Sequence, residues 1–283
     1  MSKSIVCLGV YLTSIFTLSF QQARAGEPLG ISQEMRLASC VHSAYEGIDF
    51  SNSEVLSYDA FASAYKGYLN LKEAGQLSAD KQILSICDFN LASSAKRLWI
   101  IDLATGKVLF NTYVAHGQGS GGDYANEFSN SNNSHQSSLG FYVTGDTYQG
   151  EHGLSLRLQG MDRGFNDAAL QRGIVVHGAD YVNEGYIAGN LRLGRSWGCP
   201  AVPDELKVPI INAIEGGTCL FIYHNDARFS KKCAWLNKVT EHLPETHSFE
   251  ELAQAQLQKK VLKLQVVHYS ASGKADTANT YAN

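Results

Sequence analysis

One change of hydrophobic period decides the class of this 283-residue chain. Up to about residue 75 the apolar residues keep a helical beat. Ala60, Phe61, Ala64, Tyr65, Tyr68 and Leu69 recur at three- and four-residue steps, which puts them on one face. Residues 31–75 therefore read as helical, with Gly75 as the stop signal, and the apolar face as a pad for a neighbouring domain. From Lys96 the beat changes. Arg97 to Leu103 is apolar and β-rich, Ala104-Thr105-Gly106 is a turn, and Lys107 to Val114 answers as a second strand, so the two form a hairpin. Gly140–Thr144, Leu154–Leu158, Gly173–His177 and Thr218–Tyr223 are further strand candidates. Short helices are expected at Phe165–Gln171, Tyr181–Ala188 and Asp204–Ile214. Short strands with glycine-containing turns predict a mainly β, sandwich-like domain over residues 92–225. Residues 26–91 precede it as a helical segment. Residues 226–283 follow as an extension, in which Ser248-Phe249-Glu250-Glu251 has capping-box spacing ahead of a helix from Leu252 to about Val267. The last dozen residues, small and polar, read as a loose tail. Residues 117–137, rich in Gly, Ser and Asn, make a polar loop of a length that is usually functional or disordered.

The first 25 residues are an address. Lys3 precedes an apolar run from Ile5 to Phe20, and Ala23 and Ala25 give a small-x-small cleavage pattern, so a signal peptide ending at Ala25 is expected. The run is 16 residues long, short of the roughly 20 that span a bilayer. An exported protein with no lasting membrane insertion follows. Removing Lys3 and Arg24 leaves 21 basic against 27 acidic residues, a net charge of −6. With no basic excess, nucleic acid is not expected as a partner.

Cys40, Cys87, Cys199, Cys219 and Cys233 remain after cleavage. An odd count in an oxidising compartment leaves at least one thiol unpaired. With Cys199 set aside the other four allow three pairings, of which Cys219 with Cys233 is plausible from its short separation. The alternative is that several are simply buried small apolar residues.

The chemistry concentrates in two stretches. Ile174-Val175-Val176-His177-Gly178-Ala179-Asp180 ends a strand on a histidine. Gly194-Arg195-Ser196-Trp197-Gly198-Cys199-Pro200 places a cysteine in a glycine-containing turn, 22 positions after that histidine. A cysteine nucleophile needs a base or a cation beside it, and histidine supplies both. The base in turn needs an acceptor that fixes its tautomer. Gly198 allows close backbone approach, and the N–H groups of Trp197, Gly198 and Cys199 are candidate oxyanion donors. On residue types alone, a bridged Cys199 and a strand-end His177 satisfied by backbone groups are equally admissible.

The flanking residues resemble the catalytic region of the YkuD-type L,D-transpeptidases, which act on peptidoglycan. His177-Gly178 and Ser196-Trp197-Gly198-Cys199 match that family's His-Gly and Ser/Thr-x-Gly-Cys motifs. Ser137-Ser138-Leu139-Gly140-Phe141-Tyr142-Val143 is similar to its strand-entry motif. Ser-x-Gly-Cys-Pro-Ala looks most like the murein L,D-transpeptidase catalytic domain subgroup, and the likeness covers about half the chain. Two positions depart from the main family. Trp197 stands where its second histidine is usual, and Pro200-Ala201-Val202 replaces the segment carrying its arginine.

The resemblance implies an L,D-transpeptidase-like fold and a thioester mechanism. Cys199 would attack the carbonyl of the third stem-peptide residue, and the terminal D-alanine would leave. His177 would shuttle the proton, oriented by the carbonyl of Gly178 or of Ser196. An amine from a second stem peptide would resolve the thioester. Water in that role would make the protein an L,D-carboxypeptidase, and a degenerate site would leave a wall-binding protein of the same fold. Peptidoglycan stem peptides are the implied partner, the periplasm the implied compartment, and no cofactor is required.

Other residues stay open between a site and a structural role. Arg195 is a candidate for binding a substrate carboxylate bidentately or for an ion pair. His116 and Tyr142 are candidates for lining the substrate cleft, as is Tyr148, although aromatic strand residues often only pack. Asp180 is a further candidate orienter or a turn cap. The spacing of His116, His135, His152 and His177 fits no zinc template.

Overall fold

The computed structural model describes residues 32–244. The expected signal peptide, the helix from Leu252 and the tail lie outside the described residues.

Two helices come first: α1 (Gln33–Glu46) and α2 (Tyr58–Glu73). Serine caps both, Ser32 accepting from Met35 N and Ser57 from Ala60 N, which satisfies N–H groups that the first turn leaves without partners. The stretch expected to be helical is interrupted at Gly47, because Asp49 N turns aside to donate to Gly106 O at the tip of the later hairpin. α2 buries the face read from its periodicity. Its Gly67 lies directly against the ring of Phe141, and the helix packs across the middle of the sheet.

Eight strands follow: β1 (Ile83–Asp88), β2 (Leu98–Asp102), β3 (Lys107–Thr112), β4 (Gly140–Gly150), β5 (Gly153–Gly160), β6 (Val175–Ala179), β7 (Ala201–Pro203) and β8 (Cys219–Tyr223). Hydrogen bonds join them in the order β3-β2-β1-β8-β4-β5-β6-β7. The mainly β class with short helices is thus as expected, and the hairpin is β2–β3. Two strands had not been read from the sequence. β1 lies within the stretch assigned to helices, yet pairs with β2 on one side and with β8 on the other. β7 is three residues ending in proline. Of the expected short helices, residues 165–171 form turns. The other two are α3 (Glu184–Asn190) and α4 (Lys207–Ile214), the latter packing on β5, β1 and β6. α5 (Ala227–Lys232) and α6 (Ala234–Asn237) close the described chain, and Trp235 and Lys238 carbonyls accept from the buried Asn70 of α2.

The core is continuous from α2 through the sheet to α4, with Phe61, Leu71, Ile86, Ile100, Phe141, Leu156, Ile211 and Phe221 fully buried. Burying side chains of this size stabilises by about 1.5–3 kcal/mol each. Of the two readings of the cysteines, the structure has the unpaired one: all five cysteines of the described residues are free thiols, and Cys219 and Cys233 are not bridged. Cys219 is buried within β8, while the Cys233 thiol donates to the buried Asp162 Oδ1 (2.9 Å). A bridge would take that donor from the carboxylate.

Candidate active site

β6 is buried throughout and carries His177 at its centre. It pairs antiparallel with β5, with Ser155 opposite His177, and parallel with β7, with Ala201 opposite His177. The loop that ends in β7 is residues 194–200, so sheet register brings the cysteine loop beside the histidine strand. That loop is held on two sides. On one, Ser196 N donates to His116 O (3.0 Å), Gln118 N to Ser196 O (2.8 Å) and Ala115 N to Ala201 O (2.8 Å). On the other, Ser137 Oγ donates to Gly198 O (3.2 Å). Gly198 has φ +127°, and a Cβ there would fall 2.8 Å from Gln136 O. Backbone thus packs on backbone, and glycine is the residue the position admits. The polar stretch 117–137 is therefore an ordered wall of the site.

Within the loop, Ser196 Oγ donates to Cys199 O (2.6 Å) and accepts from Gly198 N (3.1 Å). This locks the turn and uses the Gly198 N–H. Among the described residues no hydrogen bond engages the N–H of Trp197 or of Cys199. Cys199 Sγ is half-buried, accepts from Val175 N (3.4 Å) and points its proton towards Gly173 O (3.7 Å). Burial pushes its pKa above the usual 9.0, while the Val175 N–H and the charge of Arg172 oppose that rise. The resting group is a thiol at neutral pH.

His177 Nδ1 lies 2.8 Å from Gly178 O. A carbonyl only accepts, so Nδ1 carries the proton and Nε2 keeps its lone pair. Burial lowers the His177 pKa below 6.5. The Gly178 carbonyl opposes this, and nearby His152 and Lys207 add to it. The ring is a neutral imidazole with its basic nitrogen available. No hydrogen bond joins it to Cys199 in this structure; Sγ is bonded to Val175 N, two residues back along the same strand, a rise of about 7 Å. Such bonds commonly tighten only when substrate is bound. Of the two carbonyls considered as orienters, Gly178 O makes the contact, whereas Ser196 O accepts from Gln118 N.

Two readings from sequence are corrected. His116 is fully buried, with Nδ1 accepting from the buried guanidinium of Arg97 (2.7 Å) and its ring edge-on to Phe89. Burial and the Arg97 charge push its pKa down to about 3, so it is a neutral internal strut. Tyr142 is also fully buried and donates to Ser138 O (2.9 Å); its hydroxyl braces the strand entry. Arg195 is half-buried and donates to Gly121 O (2.8 Å), tying the polar stretch to the cysteine loop. Asp180 O accepts from Asn183 Nδ2 in the turn before α3. Tyr148 lies under the guanidinium of Arg157.

Three contacts around the site had no sequence signal. Arg172 sends four hydrogen bonds across the polar stretch, to Ser129 O (2.8 Å), Gln136 O (2.7 Å), Ser138 Oγ (2.5 Å) and Ser134 Oγ (3.2 Å). It is also the cation whose charge reaches Cys199. Trp197 is 72% exposed and stacks on His135 at 5.1 Å and 7°. His152, in the β4–β5 turn, stacks on His177. The four histidines considered for zinc therefore fall in three separate places. A grouping of possible metal-ligand atoms among the described residues is Glu73, Glu241 and His242. There Glu73 accepts from both backbone N–H groups and from His242 Nδ1, fastening the segment after α6 to α2.

No curated protein matches the sequence. Three similar solved structures share little identity with it. An L,D-transpeptidase from Mycobacterium smegmatis is 11% identical over 51% of this chain and 59% of its own, with a TM-score of 0.33. The Enterococcus faecium L,D-transpeptidase is 13% identical over 50% of each chain, TM-score 0.32. The helical cell shape determining protein Pgp2 from Campylobacter jejuni is 14% identical over 57% of each chain, TM-score 0.35. The chain thus spans less than two thirds of the length of these structures. The model of the L,D-transpeptidase catalytic domain, YkuD_2, matches residues 52–223, from ahead of α2 to the end of β8. With well over half of its length matched, the chain belongs to the L,D-transpeptidase catalytic domain family.

Proposed function

We propose that the protein is an exported, cysteine-dependent L,D-transpeptidase that acts on peptidoglycan stem peptides in the periplasm. The observation that carries the reading is the protonation pattern of the paired motifs. A histidine with its proton fixed on Nδ1 by Gly178 O lies on the strand whose entry holds the thiol of Cys199.

Chemistry follows from these groups. The Cys199 thiol is neutral at rest, so His177 Nε2 takes its proton as the sulfur attacks the carbonyl of the third stem residue. The negative charge that develops on that oxygen is met by the N–H groups of Trp197 and Cys199. Gly198 is left out, because its N–H belongs to Ser196. Collapse expels the terminal D-alanine, whose amine receives the proton from His177, leaving a thioester on Cys199. The neutral imidazole then deprotonates an incoming stem-peptide amine, which forms the new amide and frees the thiol. Water in place of that amine gives the tripeptide, the carboxypeptidase outcome. No step calls for a cofactor.

The test is intact-mass analysis of the enzyme mixed with a disaccharide-tetrapeptide. An adduct equal to the substrate less D-alanine, absent in Cys199→Ala, supports the thioester. An unmodified protein that also releases no D-alanine contradicts it.

A further inference from the structure

His177 is covered by a second imidazole. The β4–β5 hairpin closes through Gly150 and Gly153, which pair with each other across the turn, so His152 sits at its tip. On the face that His177 shares with Ser155, the next position along β5 is Gly153. Gly153 has no side chain, and a Cβ there would meet the Lys207 ammonium, 3.4 Å away. From the tip of the turn the His152 ring stacks on His177: the two imidazoles lie 4.3 Å apart at 20°. His177 is buried while His152 faces solvent. The mechanism above uses the Nδ1 and Nε2 edges of His177 and leaves this stacked face unassigned.

We propose that His152 is the positioning residue of the base: its ring lies flat on His177, holds the imidazole with Nε2 directed at the thiol, and shields that face from water. The inference rests on His177 being the base. A ring bonded only through Nδ1 can still tilt about that bond, and a parallel ring fixes the plane. Displacing a catalytic group by about 1 Å can cost about 100-fold in rate.

The groups that act on the His177 ring come from three elements. They are His152 from the β4–β5 turn, the Gly178 carbonyl from β6, and the Lys207 ammonium from α4, which is paired with Asp204 (2.8 Å). His152 and Lys207 both disfavour imidazolium at His177. Replacing His152 with phenylalanine removes the charge and keeps the cover. Replacing it with alanine removes both. The midpoint for His177 protonation therefore rises in the order wild type, His152→Phe, His152→Ala.

Two readouts on the full chain test this. The first is NMR titration of the His177 ring, which needs no substrate. The second is kcat and KM on the tetrapeptide across pH. The expected result is that order of midpoints, with kcat lowered about tenfold or more in His152→Ala at little change in KM, and most of the loss recovered in His152→Phe. Equal midpoints in all three proteins, or equal kcat losses in both variants, overturn the proposal. A wild type without activity on stem peptides would defeat the proposed function alone, since the titration would still decide whether His152 governs the ring.

Discussion

Arg172 is the residue through which stability and reactivity are most closely joined. Its guanidinium makes four hydrogen bonds to residues 129, 134, 136 and 138, and its charge opposes the rise of the Cys199 pKa. Hydrogen bonds to a charged group are worth about 1.5–3 kcal/mol each. The group is only half-buried, water can replace part of the set, and the four are not additive. A net loss of about 2–4 kcal/mol for Arg172→Leu is the expected size. Because Gln136 O abuts Gly198, loosening this wall also loosens the turn that carries the thiol. Arg172→Leu should therefore unfold earlier in urea and need a higher pH for half-maximal alkylation of Cys199. Arg172→Lys keeps the charge but not the planar fork, so it should restore much of the thiol's reactivity while remaining less stable than wild type. Unchanged urea midpoint and unchanged alkylation profile in Arg172→Leu would refute the reasoning.

Other consequences follow from groups beside the site. Activity should rise with pH through a midpoint below 6.5, where His177 loses its proton, and then stay level to about pH 9, because Cys199 titrates above its usual value; a steep rise between pH 7 and 9 would contradict the neutral-thiol resting state. Burial raises Asp162 to about 6, so the native state binds its proton more tightly than the unfolded chain does. This group's contribution is thus fully present below about pH 4 and is lost as pH rises to about 6, by an amount on the order of 2–3 kcal/mol. Asp162→Asn should flatten that part of a stability-versus-pH curve measured by denaturant unfolding. A Cβ on Gly178 would fall 2.5 Å from Lys207 Cδ and 2.6 Å from Asp204 Oδ1. Gly178→Ala should cost about 1–3 kcal/mol, read as a lower Tm in calorimetry.

The parts of the fold legible in the sequence are those with one covered face or a marked turn. The α2 stripe and the Ala104-Thr105-Gly106 hairpin follow a period that burial on one side imposes. β1 escaped because Ile83 to Asp88 is flanked on both sides in the sheet and has almost no exposed position, so it shows no alternation. β7 is too short to carry a period and ends in proline. At the proposed site, His177-Gly178 and Ser196 to Cys199 stand out in the chain because each motif is local, and register places their two strands side by side. The roles of His116 and Tyr142 were not legible: β3 ends at Thr112, ahead of His116, and Tyr142 sits in a strand where burial on both faces gives no sign of which way it points. Arg172, His152 and His135, the last stacked on Trp197, reach the site from outside the cysteine loop, and no spacing in the chain records those contacts.

The central claim is that Cys199 and His177 transfer a stem-peptide acyl group. Purified enzyme, Cys199→Ala and His177→Ala would each be incubated with disaccharide-tetrapeptide and the products read by mass spectrometry. The account predicts a cross-linked dimer formed with loss of one D-alanine, present with the wild type and missing with both variants. Intact tetrapeptide with the wild type, or dimer that persists in Cys199→Ala, would contradict it.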